Sequence, residues 1–279
     1  MRNFTFKGLF LAVVFIVLGS LSIQAADGLI TKQITIKLDE AGTLPNKIGS
    51  TKKFQITNLK IIGEINGRDL QMIREMAGKD VRGNDTDGML SVLDLSDAKI
   101  VEGGGYNING FYYPTSNDKI GDNAFCDCSG LTSLTLPSGV TKIGNAAFEG
   151  CSGLTSLTLP SGVAKIGDYA FHGCSGLTSI YVYAEKLPNM GNDVFEGCDA
   201  KKCTVYVPKG TYDDYWLSEF GYFENIVEFD PTGINNVITS NDAKELSRYS
   251  VNGQRLSAPT KGLNIVKYSD GSVKKVAVQ

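Results

Sequence analysis

The sequence predicts an α/β solenoid, with short parallel strands on one face and irregular or 3-10 turns on the other. It is capped at both ends and followed by a small C-terminal β module. Three observations lead there. A 23-residue segment recurs three times from Lys119. Each copy holds an alternating apolar stretch such as Leu131, Leu134 and Leu136. The flanking segments have the helical spacing and aromatic clusters of caps, and beyond Pro231 the texture changes again.

Residues 1–25 form the first element, a leader. Arg2 and Lys7 precede an apolar run from Gly8 to Ile23, and the small residues Ala25 and Ala26 follow it. This is the pattern of a signal peptide, cut after Ala25. An uncleaved anchor helix is the alternative, because the run approaches spanning length. No cysteine follows the run, so a lipoprotein anchor is not indicated. The 279 residues carry a formal charge of −3, and losing Arg2 and Lys7 takes the mature chain to −5. With no long basic run, nucleic acid is not an expected partner.

Residues 26–89 are assigned to an N-terminal cap. Leu59 to Ile65 reads as a strand, and Leu70, Ile73 and Met76 recur at helical spacing before Gly78, a helix stop.

Residues 90–208 hold the repeats. Phe125, Phe148 and Phe171 stand one period apart, as do Leu131, Leu154 and Leu177. A degenerate fourth copy from Asn189 keeps its phenylalanine (Phe195) and cysteine (Cys198) 24 residues on. Upstream, "LSVLDLSDAKI" from Leu90 matches the strand segment, with Leu95 and Leu136 separated by 41 residues because residues 101–118 are inserted. Alternation turns the leucines of "LTSLTL" inward and leaves Thr132, Ser133 and Thr135 in solvent. Pro137 and Ser138-Gly139 then end the strand. Val140 and Ile143 return to the interior, and Ala147 with Phe148 fills the far wall. One coil cannot bury both walls, so the copies must stack with strands about 4.8 Å apart.

Residues 209–230 form the C-terminal cap: Tyr212, Tyr215, Trp216 and Phe220 lie on a short helix, before a strand at Ile226 to Phe229. Residues 231–279 form a β-hairpin tail with turns at Asn252-Gly253 and Asp270-Gly271.

The pattern K-I-G-x-x-A-F-x-x-C-x-x-L-x-x-L-x-L-P covers residues 119–208 and, more loosely, 50–118. It resembles the BspA-like leucine-rich repeats of bacterial surface proteins. That resemblance implies a leucine-rich-repeat solenoid displayed outside the cell and, in some members, adhesion to host matrix proteins such as fibronectin and fibrinogen. The tail resembles the C-terminal modules that end many secreted proteins of gut and oral anaerobes and can serve as sorting signals. Tyr249, Gly253, Lys261, Gly262, Lys274 and Lys275 carry that match. Membrane association is expected only through sorting or anchoring by this tail.

Cys128, Cys151, Cys174 and Cys198 recur with the repeat. Equivalent positions in a stack lie within disulfide range, but their side chains leave in parallel, whereas a disulfide needs converging Cβ vectors. The expectation is a ladder of buried thiols. Cys126 and Cys203 are off the pattern, and the spacings do not make a zinc clamp.

No catalytic residue, metal ligand or cofactor is assigned. His172 is the lone histidine and stands where earlier copies have Cys126 and Glu149, so Ser-His-Asp and Cys-His chemistry would depend on one variable position. The carboxylate pairs Asp94/Asp97 and Asp213/Asp214 have the residue types of a glycosidase. Their simpler reading is outward positions beside a strand and the first turn of a helix. "GNDTDG" from Gly83 has glycine where a calcium loop needs its first ligand.

Binding remains. The insertion carries Tyr106, Phe111, Tyr112 and Tyr113 among glycines and asparagines, a mixture suited to contact surfaces. The same rings are equally suited to folding back on the first coil. His172 and Tyr181, where the copies stop agreeing, complete the candidate ligand-binding residues. The expectation is a secreted or cell-surface, non-catalytic binding protein for a protein or glycan outside the cell, such as a host matrix protein. A secreted accessory enzyme of carbohydrate or protein breakdown, and a structural envelope component, are the alternatives.

Overall fold

The computed structural model describes residues 28–230, 245–250, 255–256, 258–259, 261–268 and 273–278. The leader and the turns at Asn252-Gly253 and Asp270-Gly271 lie outside the described residues. Two compact units divide the chain after Pro231.

The first unit begins with β1 (Ile34–Leu38) and α1 (Leu44–Lys47), then β2 (Asn58–Ile65) and α2 (Gly67–Met76). Residues 26–89 contain one strand and one short helix beyond those foreseen: β1 lies parallel to β2, with Ile36 beside Ile61. α2 starts in a capping box between Asn66 and Asp69. Asp69 is fully buried, and its carboxylate accepts the backbone N–H groups of Gly42 (2.6 Å), Leu44 (2.9 Å) and Asn66 (2.9 Å). One side chain thus holds the turn before α1 against the start of α2.

β3 (Val92–Ile100) follows, then an antiparallel hairpin of β4 (Gly105–Ile108) and β5 (Phe111–Pro114). The coils come next: β6 (Lys119–Ile120), β7 (Ser133–Thr135), β8 (Lys142–Ile143), β9 (Ser156–Leu159), β10 (Lys165–Ile166), β11 (Ser179–Val182), β12 (Asn189–Met190) and β13 (Thr204–Pro208). The unit closes with α3 (Tyr212–Trp216), a 3-10 turn at Glu219–Tyr222 and β14 (Asn225–Phe229).

One sheet of eight strands runs β1-β2-β3-β7-β9-β11-β13-β14, and every pair in it is parallel. The two-residue strands make a ladder on another side of the coil, in the order β12-β10-β8-β6. Ser133 beside Ser156, and Ser156 beside Ser179, reproduce the 23-residue period as a stacking register. Leu93 lies beside Leu134, the 41-residue offset across the insertion. Both caps therefore add strands to the repeat sheet, which protects its edges coil by coil.

Stacking also builds the interior. Phe125, Phe148, Phe171 and Phe195 form a column of rings 5.3, 5.2 and 5.7 Å apart, their planes within 10°. All four are buried. At the far end Phe220 and Phe223 each close on Phe195 at 5.0 Å, and buried Tyr215 donates to Ala184 O at 2.7 Å. At the near end Arg74 of α2, 2% exposed, places Nη1 3.1–3.3 Å from the carbonyls of Asn123, Ala124 and Cys126. This guanidinium fastens the cap helix to the first coil's turn.

The second unit holds β15 (Glu245–Ser250), β16 (Arg255–Leu256), β17 (Gly262–Tyr268) and β18 (Val273–Val278). They form an antiparallel sheet in the order β16-β15-β17-β18, more than a single hairpin. Val266 and Asn264 are buried in it.

Candidate functional site

The insertion is a hairpin, with Tyr106 opposite Tyr113 and Ile108 opposite Phe111. Asn109 (φ 52°) and Gly110 (φ 85°) supply the two positive-φ residues of a tight turn that suits strand twist. This geometry divides the four rings. Tyr106 is fully buried, donates its hydroxyl to Asp122 O at 2.7 Å, and has its phenol pushed up chiefly by burial. Tyr106 is thus a correction to the candidate binding residues. Its side of the pleat faces the first coil, so its ring is core. Tyr113 stacks on it at 5.6 Å and accepts from Asn123 Nδ2 at 3.2 Å. Phe111 (69%) and Tyr112 (60%) are exposed, the Tyr112 ring lying over Gly105.

His172 occupies the turn between β10 and β11. Its Nδ1 lies 3.7 Å from Glu149 Oε1 of the preceding coil, and its ring meets Tyr169 edge-on at 5.9 Å. Its nearest partners belong to the turn, whereas the hairpin rings rest on Asp122 and Asn123 of an earlier coil. The six candidates do not converge on one point.

Tyr181 lies on the outward face of the eight-stranded sheet. Parallel register places one residue per strand in a row: Lys60 and Asp94 at one end, Thr135 and Thr158 in the centre, then Tyr181 and Tyr206. A second row runs beside it through Ser133, Ser156, Ser179 and Thr204. Tyr181 and Tyr206 stack at 4.5 Å with planes 7° apart. Phe229 meets Tyr181 edge-on at 6.3 Å and Tyr183 at 5.3 Å. Burial raises the Tyr181 phenol. Tyr206 and Phe229 were not foreseen. Their signal was alternation within "TVYVP" and "NIVEF", which the register aligns with the third repeat.

Residues 104–215 match the model of the BspA type leucine rich repeat region, in six copies. Over those residues the chain is similar to BspA-type leucine-rich repeats. No curated protein matches it. A crystallised leucine-rich repeat protein from Bacteroides ovatus is similar at 25% identity with a TM-score of 0.39, over 63% of this chain and 43% of that one. The chain thus spans less than half the length of that relative.

One of the carboxylate pairs, Asp94 and Asp97, shares a structural partner. Lys60 Nζ lies 2.9 Å from Asp94 Oδ2 and 2.7 Å from Asp97 Oδ2, and the hydrogen bonds it donates to both raise the Lys60 ammonium. Burial pushes Asp94 up, but bonds from Lys60 and Ser96 outweigh it and hold the carboxyl below its usual range. A carboxylate that must give and take protons is poorly served by a cation fixed between the pair. Asp213 and Asp214 occupy the first turn of α3. Among the described residues no group of three or more His, Cys, Asp or Glu could hold a metal ion, and no helix is long and apolar enough to cross a membrane.

The cap aromatics also divide. Tyr215 and Phe220 cover the stack, while Tyr212 and Trp216 stack on each other at 6.1 Å and are exposed. The repeat cysteines are buried thiols. Cys203, off the pattern by spacing, is buried as well, just before Thr204, which pairs with Ser179 of the preceding coil.

Proposed function

We propose that this is a secreted or cell-surface, non-catalytic binding protein that recognises host or neighbouring-cell macromolecules through its leucine-rich-repeat surface, with the tail sorting or anchoring it. The observation that carries the reading is the outward face of the sheet. Its two rows of side chains contribute nothing to the buried core beneath, yet one of them presents the stacked rings of Tyr181 and Tyr206, with Phe229 edge-on beside them. Phe111 and Tyr112 of the hairpin add exposed rings of the kind enriched at contact surfaces. The test is an array of fibronectin, fibrinogen, mucin and glycans probed with purified residues 26–279. Capture of at least one supports adhesion. Turnover of a polymer substrate with no capture overturns it in favour of an enzyme.

A further inference from the structure

The planes of Tyr181 and Tyr206 are 7° apart and their centroids 4.5 Å apart, close to the strand spacing of about 4.8 Å. The rings therefore stand across the sheet, and Tyr206 covers one face of Tyr181. The other face turns toward β9, where the next residue in the row is Thr158. Threonine is too short to cover a phenol ring, so the outer part of that face is open. Phe229, edge-on to both Tyr181 and Tyr183, holds the rings in place, which lowers the ordering cost of any contact made there.

The floor beside this wall is uncharged and polar. Ser133, Thr135, Ser156 and Thr158 span β7 and β9, and the nearest charges in the row are the Lys60–Asp94 pair beyond them. Thr155 and Thr178, at the strand entries, donate to the carbonyls of the preceding coil at 3.0 Å. The Thr135 and Thr158 hydroxyls make no such bond among the described residues. Each hydroxyl can donate one hydrogen bond and accept others.

An open aromatic face beside a shelf of hydroxyls, of which Ser156 Oγ accepts from Ser179 Oγ at 3.0 Å, with no charge between, matches a ligand that is neutral, rich in hydroxyls and apolar on one side. A sugar ring has that chemistry: its axial C–H groups meet the electron-rich ring face, and its hydroxyls exchange hydrogen bonds with the floor. A protein partner would be better served by a desolvated apolar pocket or paired charges, and a polyanion by cations. We propose that the strip from Thr135 to Tyr206 binds a neutral oligosaccharide laid across the strands, with one sugar ring against the free face of Tyr181. This deepens the binding role proposed above and rests on it.

The experiment is a neutral-oligosaccharide array, then calorimetry of the strongest hit with the mature chain and four variants, each checked for native circular dichroism. Tyr181→Ala should weaken binding by about tenfold or more, and Tyr181→Phe, which keeps the ring face, by no more than about threefold. Thr158→Tyr, which extends the stack over the open face, should abolish binding, while Trp216→Ala on the cap should leave it unchanged. Binding that survives both Tyr181→Ala and Thr158→Tyr, or that is lost with Trp216→Ala, overturns the site. If fibronectin, fibrinogen or mucin polypeptide is captured and no oligosaccharide binds, this inference fails and the adhesion role stands. Capture of nothing at all overturns both.

Discussion

The thiol of Cys174 donates to the carbonyl oxygen of Phe148, one coil earlier, at 3.1 Å. Cys151 repeats the bond to Phe125 O at 3.1 Å, and Cys198 to Phe171 O at 3.4 Å. Each sulfur points at the backbone it stacks on and not at the neighbouring sulfur, so the column is a hydrogen-bonded ladder. In native protein a thiol reagent should label half-buried Cys126 slowly and the other five not at all. In denaturant without reductant all six should react. Fewer than six would reveal a disulfide and overturn the ladder.

The same burial sets a pH limit. Burial pushes Cys128 up to about 11, and Cys198 and Cys203 up to about 12, from an ordinary 9.0. Between those values the native state keeps protons that the unfolded chain releases. The thiols' contribution is therefore full below pH 9 and is lost as pH rises toward 11–12. Tyr215, pushed up to about 12 from 10.0 chiefly by burial, acts in the same direction. Urea midpoints under reductant should fall steadily above pH 9, and Cys198→Ala should flatten that fall.

Phe148 has a parallel ring on each side, at 5.3 and 5.2 Å. Phe148→Ala opens a cavity that neighbours in register cannot close, and should cost about 3–5 kcal/mol by urea denaturation. Phe148→Leu keeps most of the volume and should cost less than about 2 kcal/mol. Equal losses in the two variants would show that retained volume contributes nothing and would overturn the cavity account.

Arg74→Ala should act locally. Three carbonyls lose their donor, a penalty of about 2–3 kcal/mol. In a solenoid this weakens one interface rather than every coil. Hydrogen exchange should quicken in α2 and around residues 123–126 and stay unchanged from β9 to β13. Uniform acceleration would contradict the clasp.

Coil spacing is also testable at Gly167. A Cβ there would lie 2.6 Å from Asn145 N and 2.7 Å from Gly144 C, so Gly167→Ala must push adjacent coils apart and should cost more than about 1 kcal/mol. Gly49→Ala, with nothing within 4 Å, should stay within about 0.5 kcal/mol of the parent in the same urea titration.

The legible features were those that repeat. Leucine, phenylalanine and cysteine columns follow from a 23-residue spacing, and the 41-residue jump from Leu95 to Leu136 already contained the β3–β7 register. Asp69 and Arg74 were illegible because a charged residue on a helix reads as surface. The groups that make burial favourable come from Gly42 and Leu44 in one case and residues 123–126 in the other. The fate of the insertion's rings was likewise open, since a Tyr-rich hairpin can face either way until a coil is there to receive it.

Periodicity was enough to establish the solenoid, because each coil makes the same contacts with the next and a local pattern is thereby multiplied into a fold. The stack alone decided the rest: that Tyr106 is core while Tyr112 is surface, that off-pattern Cys203 is buried, and that Tyr181 has Tyr206 on one face and open space above Thr158 on the other. Those outcomes depend on neighbours brought together by register, and a side chain's burial is a property of what lies beside it.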